Sequence, residues 1–141
     1  MPHNASKVLL GSTKSSFRVV DNVPGTIEAG LVVCRDDDGT YDVTSASGAS
    51  IGVSLGSGLA GNARTAVCRE GLEVPIQVGT GTPVVGAQVA VSNTTGKTVD
   101  YTGSGDRYVN ANFTTAKITN GGIKEDGTLC DIAFIDFAGG L

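Results

Sequence analysis

Alternating apolar residues between Gly71 and Val99 constrain the fold of this chain more than any other feature. Every second residue from Leu72 to Val78 is apolar, and the alternation resumes from Val85 to Val91. A period of two is typical of a β-strand with one buried face, and β-branched valine suits a pleated surface. Pro75 and the nearby glycines are expected to divide this stretch into short strands with sharp corners.

Turn residues separate further β-prone runs along the chain. Asp38-Gly39 predicts a hairpin turn, and the segments Asn93–Lys97 and Lys124–Thr128 predict two more. The run Leu129–Phe137 is the most hydrophobic, and we expect it to be covered on both of its largely apolar faces. No helical period is convincing anywhere in the sequence. These patterns predict an all-β fold, a small single-domain antiparallel β-barrel or sandwich with little or no helix.

The length of 141 residues is that of one ordinary domain, and the 21 glycines show no triplet period. We expect an extended N-terminal arm over residues 1–16, followed by the β-barrel or sandwich domain over residues 17–141. The arm is polar except for Val8, Leu9 and Leu10. It is either a frayed terminus or a segment that becomes ordered on a partner, with these three residues as its strand or anchor.

Charge and cysteine content narrow the function classes. The net charge is −4 and the Lys and Arg residues are scattered, which argues against nucleic acid as a partner. Three widely spaced cysteines, an odd number, suit a thiol-reducing compartment and small buried side chains. No stretch approaches the length of a membrane span, and no secretory signal is evident. We therefore expect synthesis and assembly in a cytosol.

Reactive groups form no recognisable catalytic, cofactor or metal constellation. His3 is the single histidine, and Asp36 to Asp38 lack the spacing of a calcium loop. Gly56 to Gly61 matches a dinucleotide-binding pattern, but a β-like run follows where that motif needs a helix. Asp131 and Asp136 could form a carboxylate pair in the last strand, or act as edge charges that deter aggregation. We expect no enzyme activity.

The order of several glycine- and valine-rich elements carries a resemblance to a known family. These elements are Gly30-Leu31-Val32-Val33, Ile51-Gly52-Val53, Ala60-Gly61, Ala66-Val67, Glu70-Gly71-Leu72-Glu73-Val74-Pro75, and Val85-Gly86 with Val89. Their progression resembles the small capsid cement (decoration) proteins of tailed bacteriophages, over roughly residues 30–91. The chain departs from that pattern after Gly86, where Ala87 and Ala90 replace an acid and an aromatic residue.

The resemblance implies a structural virion protein that binds the outer surface of the phage head and stabilises it against internal DNA pressure. The implied partner is the major capsid protein, at junctions between its subunits, with a homotrimer at three-fold and quasi-three-fold positions. No nucleic acid, membrane, small-molecule substrate or cofactor is implied, and assembly would take place in the host bacterial cytoplasm. The expected capsid or inter-subunit contact residues are Lys7, Val8, Leu9, Leu10, Lys14, Phe17, Arg18, Phe134, Phe137 and Leu141.

A tail- or fibre-associated domain that binds a host receptor or glycan is the alternative. Such a domain would present a groove with exposed aromatic side chains. The candidates are Tyr41, Tyr101 and Tyr108, which are spread along the chain. A hydrolase, as a third possibility, would need a carboxylate pair.

Overall fold

The computed structural model describes residues 7–10, 17–23, 27–35, 41–42, 50–55 and 63–137, and these contain strands without helix. No helix in this part of the chain is long and apolar enough to cross a membrane. The strands are β1 (Val8–Leu9), β2 (Phe17–Val23), β3 (Val32–Arg35), β4 (Tyr41–Asp42), β5 (Ser50–Ser54), β6 (Ala63–Cys68), β7 (Gly71–Gln77), β8 (Gln88–Ser92), β9 (Asp106–Phe113), β10 (Ile118–Ile123) and β11 (Leu129–Phe137).

Two sheets share these strands. The larger has the order β1-β10-β11-β9-β8, with β7 also paired to β11, and the smaller has the order β2-β6-β5-β3-β4. All of these pairs are antiparallel except that of β1 with β10, which is parallel. The sheets do not close into a barrel. The all-β prediction is therefore confirmed, in its sandwich form.

The main core lies between the two sheets. Val32, Val53 and Cys68 enter it from the smaller sheet. The larger sheet contributes Val74, Ile76, Val89, Val91, Val109, Ala111, Phe113, Ala133, Ile135 and Phe137. Because the chain has no Trp and few other aromatic residues, this core consists mainly of β-branched aliphatic side chains, which pack well on pleated surfaces.

Strand β11 is the centre of the larger sheet. One of its edges pairs with β7, and the other pairs with β10 and then with β9. Consecutive residues from Ile132 to Ile135 are all buried, although neighbours on a strand point to opposite faces. The prediction that this run is covered on both faces is confirmed.

Strand β7 departs from the sequence prediction at two residues. It runs through Pro75, which was expected to break it, because a strand paired on one edge needs no N–H on the other. Leu72 was expected on the buried face and is 76% exposed. A bulge explains this: the register with β11 shifts between Ile135 and Phe137, and Glu73 has a positive φ of 53°. An extra residue in one strand resets the alternation of its faces.

The N-terminal segment 7–10 lies on the body of the same chain. Val8 and Leu9 pair with Gly122 and Ile123 of β10, and the N–H of Leu10 donates to the Ile123 carbonyl at 3.0 Å. Leu10 is buried in a second cluster with Ala29, Ile132 and Phe134. These residues therefore add a strand to their own sheet, so neither of the two alternatives for the arm, a frayed terminus or a segment ordered on a partner, describes residues 7–10.

Hairpin turns occur where the sequence predicted them. The antiparallel pairing of β3 with β4 confirms the first hairpin, although its turn lies outside the described residues. Gly96 and Gly127 have φ angles of 70° and 86°, in the left-handed region that favours glycine, at the other two turns. Gly56 to Gly61 also lies outside the described residues, and β5 and β6 on either side of it pair directly and antiparallel. Cys34 and Cys68 are buried and Cys130 is half-buried, and no disulfide joins them.

Candidate functional site

Exposed apolar side chains identify the surfaces that are candidates for binding. Among the described residues, the exposed large hydrophobic side chains are Leu9, Leu72, Val84, Val85, Tyr101, Tyr108 and Leu129. They fall at three places: beside the β10–β11 turn, at the bulge of β7, and in and beside a groove next to β8 and β9. The described residues include no group of three or more His, Cys, Asp or Glu side chains that could hold a metal ion.

Leu9, Ile123 and Leu129 form the first surface, which we call the apolar row. Ile123 pairs with Leu9 on one side and with Leu129 on the other, and directly opposed residues share a face of the sheet. Leu9 is 53% exposed and Leu129 is 44% exposed. Three large aliphatic side chains from three strands therefore lie side by side, with Leu9 and Leu129 exposed and Ile123 half-buried between them.

The turn beside the apolar row is held by its own hydrogen bonds. The Lys124 N–H donates to the Thr128 carbonyl at 2.8 Å, and the Gly127 N–H donates to the Lys124 carbonyl at 2.9 Å. Asp126 Oδ1 accepts the hydroxyl of Thr128 at 2.6 Å and its backbone N–H at 2.9 Å. These two bonds favour the carboxylate and lower the pKa of Asp126. The row therefore ends in an ordered turn.

The predicted contact residues separate into exposed and buried groups. Lys7 and Leu9 are exposed, and Val8 is half-buried. Leu10, Phe134 and Phe137 are buried within this chain, where they contribute to its cores.

The other four predicted contact residues, Lys14, Phe17, Arg18 and Leu141, are not part of the apolar row. Phe17 and Arg18 are residues of β2, with their backbones paired to Cys68 and Val67 of β6. Lys14 and Leu141 lie outside the described residues. Sequence reasoning missed Ile123 and Leu129 as surface residues, although they flank the predicted turn of residues 124–128 and must therefore face each other across the hairpin.

Tyr101 and Tyr108 form one wall of the second surface, which we call the tyrosine groove. Their rings stack with centroids 4.3 Å apart and an interplanar angle of 23°. They are 48% and 51% exposed. The groove has a cavity volume of about 240 Å³ and is lined by Gly81, Thr82, Pro83, Val84, Ala87, Gln88, Ala90, Thr98, Val99, Asp100, Tyr101, Tyr108 and Phe113.

The two tyrosines are brought together by the loop between them. Asp106 Oδ2 accepts the Thr102 N–H and the Thr102 hydroxyl, each at 2.9 Å, and its Oδ1 accepts the Gly103 N–H at 3.0 Å. The Thr102 N–H bond is the main reason that the pKa of Asp106 is lowered. Sequence reasoning treated the tyrosines as spread along the chain, and for Tyr101 and Tyr108 that is wrong. The glycine-rich loop between them was the available signal for a hairpin.

Polar groups also line the tyrosine groove. The Thr82 N–H donates to Asp100 Oδ1 at 2.9 Å, and Gln88 Nε2 donates to the Val109 carbonyl at 3.2 Å. The Thr98 side chain is fully buried, and its Oγ1 has no hydrogen-bond partner among the described residues. Gly81 packs so closely on Val99 that an added Cβ would lie 2.8 Å from the Val99 carbonyl carbon. The groove therefore combines a close-packed wall with unused hydrogen-bonding capacity.

Asp131 and Asp136 of β11 have structural partners. Asp131 Oδ1 accepts the N–H of Asn120 at 2.8 Å, and Asp136 Oδ1 accepts the N–H of Glu73 at 2.9 Å. Asn120 and Glu73 both have positive φ angles, at register shifts in β10 and β7. Each carboxylate thus satisfies a backbone donor at a bulge. They lie on opposite faces of β11, which is a central and not an edge strand, at roughly 16 Å separation along it.

A cavity of about 270 Å³ at the bulge of β7 is the third place, lined by Glu70, Gly71, Leu72 and Phe137. This cavity offers fewer polar groups than the tyrosine groove, because Glu70 supplies the single ionisable side chain of its lining.

No protein-family model matches the sequence, and a search of curated proteins finds no match either.

Proposed function

We propose that this chain is a capsid decoration protein, which attaches to the outside of a tailed-phage head and bridges neighbouring subunits of the major capsid protein. The order of the glycine- and valine-rich elements over residues 30–91 supports this proposal. The observation that carries it is the apolar row. Its three side chains are large and contiguous, and two of them are exposed, which is the composition that protein interfaces cover.

The position of the apolar row suits contact with another chain. Strand β1 is the last strand at its end of the larger sheet, so one of its edges has no strand partner in the part of the chain that the structure describes. An unpaired edge offers backbone N–H and C=O groups, and the row beside it offers apolar area. The strand edge would supply hydrogen bonds to the partner chain, and the apolar row would form the water-free centre of the interface. Lys7, exposed next to β1, would lie at the polar rim of such an interface.

A closed three-fold ring is the assembly that we propose on the head surface. A ring uses the same patch on every copy, and a trimer that contacts several capsid subunits gains affinity through effective concentration. Modest contacts then suffice to hold the shell together against pressure from within. Three cysteines that are not joined in a disulfide are compatible with assembly in a bacterial cytoplasm.

Binding to heads assembled without this chain tests the proposal. Replacing Leu9 and Leu129 together by Ser removes most of the exposed apolar area, and the protein should stay folded because each side chain is about half exposed and neither belongs to a buried cluster. We expect the concentration for half-occupancy to rise by at least about tenfold, which corresponds to roughly 1.4 kcal/mol. Occupancy is measured by quantitative gel analysis of sedimented heads.

Leu72→Ser is the matched control, since Leu72 is even more exposed but lies outside the row. It should bind heads like the unmodified chain. Deleting residues 1–16 is a poorer test, because it also removes Leu10 from a buried cluster. Unchanged occupancy for the folded double variant, or failure of the unmodified chain to bind heads, would refute the proposal.

A further inference from the structure

We infer that the tyrosine groove binds one or two rings of a neutral saccharide, a ligand class beyond the proposed attachment to the capsid. In the larger sheet the groove adjoins β8 and β9, at the end opposite to the β1–β10 pair that carries the apolar row. A bound sugar and a bound capsid subunit would therefore use different strands. The inference does not depend on the capsid proposal.

The aromatic wall supplies the apolar part of the site. A pyranose ring has a face of C–H groups that packs on an aromatic ring, and Tyr101 and Tyr108 are each about half exposed. Because the two rings already stack on each other and Asp106 closes their loop, little side-chain freedom remains to be lost on binding. Val84 and Ala87 extend the apolar lining.

Thr98 supplies the observation that points most directly to a ligand. Its side chain is fully buried and lines the groove, yet its hydroxyl has no hydrogen-bond partner among the described residues. Buried polar atoms in folded proteins almost always have a partner. The oxygen is closed to solvent in the unliganded chain, so a sugar hydroxyl, which can both donate and accept, would satisfy it after a small movement of the groove lining.

Two further groups of the lining retain acceptor capacity. Asp100 uses Oδ1 for the Thr82 N–H, and Gln88 uses its Nε2 for the Val109 carbonyl. The second carboxylate oxygen and the amide oxygen are therefore acceptors for hydroxyl donors. A few fixed polar groups on a mainly apolar surface are typical of small-ligand sites.

Charge and size restrict the ligand further. Asp100 is the single formally charged residue among those that line the groove, so a phosphate, a sulfate or a carboxylated sugar would be repelled. The volume of about 240 Å³ lies below the range of roughly 300–1,000 Å³ that drug-sized ligands occupy. One or two neutral sugar rings fit both limits.

Titration of the full chain with maltose, cellobiose and N,N′-diacetylchitobiose tests the inference. We expect at least one of them to shift the ¹H–¹⁵N resonances of groove residues and to change tyrosine fluorescence, with a dissociation constant in the range of about 0.1–10 mM. Tyr108→Ala should weaken this binding at least tenfold. Leu129→Ala, which shortens an equally exposed side chain in the apolar row, should leave it unchanged.

Thr98→Val separates a binding role from a structural one. Valine keeps the shape of the side chain and removes its hydroxyl, so the variant should be at least as stable as the unmodified chain. It should nevertheless bind the sugar several-fold more weakly. A variant with unchanged sugar affinity would remove Thr98 from the site.

Comparison ligands decide between chemistries at the same residues. Binding of 3′-sialyllactose as tight as that of the neutral sugars would overturn the charge argument. Shifts caused by choline but by none of the sugars would identify a cation site instead, and the absence of shifts with all three sugars would overturn the inference. The Leu9/Leu129 double variant should bind sugar normally, so failure of the capsid proposal can be told apart from failure of this one.

Discussion

The apolar row and the tyrosine groove differ in how the chain builds them. The row joins Leu9, Ile123 and Leu129, which come from both ends of the sequence and meet through strand register. The groove uses residues 81–113, one continuous part of the chain. The row presents aliphatic side chains on a sheet face, whereas the groove is concave and carries a hydroxyl, an amide and a carboxylate. Under the two proposals, exposed apolar area would therefore serve two different kinds of partner.

This difference has an energetic side. A face of aliphatic side chains gains its affinity from area, so it suits a macromolecule that can cover it completely. A concave site gains affinity from a few oriented contacts and suits a small molecule. Neither surface is independent of the core, however, because β11 carries Leu129 and also pairs with the strand that carries Tyr108 and Phe113.

The largest effect is expected for Ile135→Ala. Ile135 is fully buried and pairs with Val74 on one side and Phe113 on the other. The cavity left by the change should lower the free energy of unfolding by about 2–5 kcal/mol. Urea unfolding followed by tyrosine fluorescence and by far-UV circular dichroism should show one coincident transition. If the tyrosine signal kept the midpoint of the unmodified chain, the two surfaces would belong to separate cooperative units.

A smaller and unequal effect is expected when alanine replaces a glycine behind each surface. The Cβ of Gly81→Ala would lie within 3.0 Å of three backbone atoms of Val99. The Cβ of Gly122→Ala, on β10 behind the row, would meet Ile132 Cγ2 at 2.6 Å and Cys130 Sγ at 2.9 Å. Side chains can shift and a paired backbone cannot. We therefore expect Gly81→Ala to cost about 2–3 kcal/mol and Gly122→Ala about 1 kcal/mol.

Chemical denaturation of both glycine variants measures this difference, with Thr80→Ala as a control at an exposed neighbour of Gly81. Equal losses would mean that the groove wall adjusts as easily as the packing beneath the row. Gly81→Ala should also weaken sugar binding, since it displaces Val99 in the lining. Gly122→Ala should not.

Local pattern was sufficient to predict much of the fold. The alternation of residues 129–137 and the Asp-Gly turn at residues 126–127 indicated the central strand and its hairpin, because both depend on neighbours in sequence. The same rule failed at Leu72, since the bulge at Glu73 shifts the alternation and no residue type announces it. Asp136, which holds that bulge, is 63 residues away from Glu73.

The candidate surfaces were only partly predictable for the same reason. Leu9 was expected to contact a partner. That it lies beside Ile123 and Leu129 could not be predicted, because this depends on the parallel pairing of β1 with β10. Two residues of strand carry no periodicity from which such a pairing can be read. The proximity of Tyr101 and Tyr108 could have been predicted from the local sequence. A glycine-rich loop separates them, and residues on the two sides of a short loop lie close together.

The smallest effect concerns two aspartates that hold turns beside the two surfaces. Asp106 closes the loop of the tyrosine pair, and Asp126 closes the turn of the apolar row, each with bonds from a nearby threonine. The pKa of each carboxyl is lowered by these bonds. Their stabilisation is therefore complete above the ordinary carboxyl pKa of about 3.9 and is lost as the pH falls through the lowered values. Both side chains are in solvent, so the change should be smaller than that of Gly122→Ala.

The two turns should respond separately when the aspartates are replaced. Asp106→Asn should change the near-ultraviolet circular dichroism of the tyrosines at neutral pH, as acidification does in the unmodified chain, because the loop that stacks them loses an ionic acceptor. Asp126→Asn should leave that signal intact and instead alter the amide resonances of Lys124 to Thr128. If acid changed the tyrosine signal equally in the Asp106→Asn variant and the unmodified chain, the stacking would not depend on this carboxylate. The groove would then be positioned by the β8–β9 pairing alone.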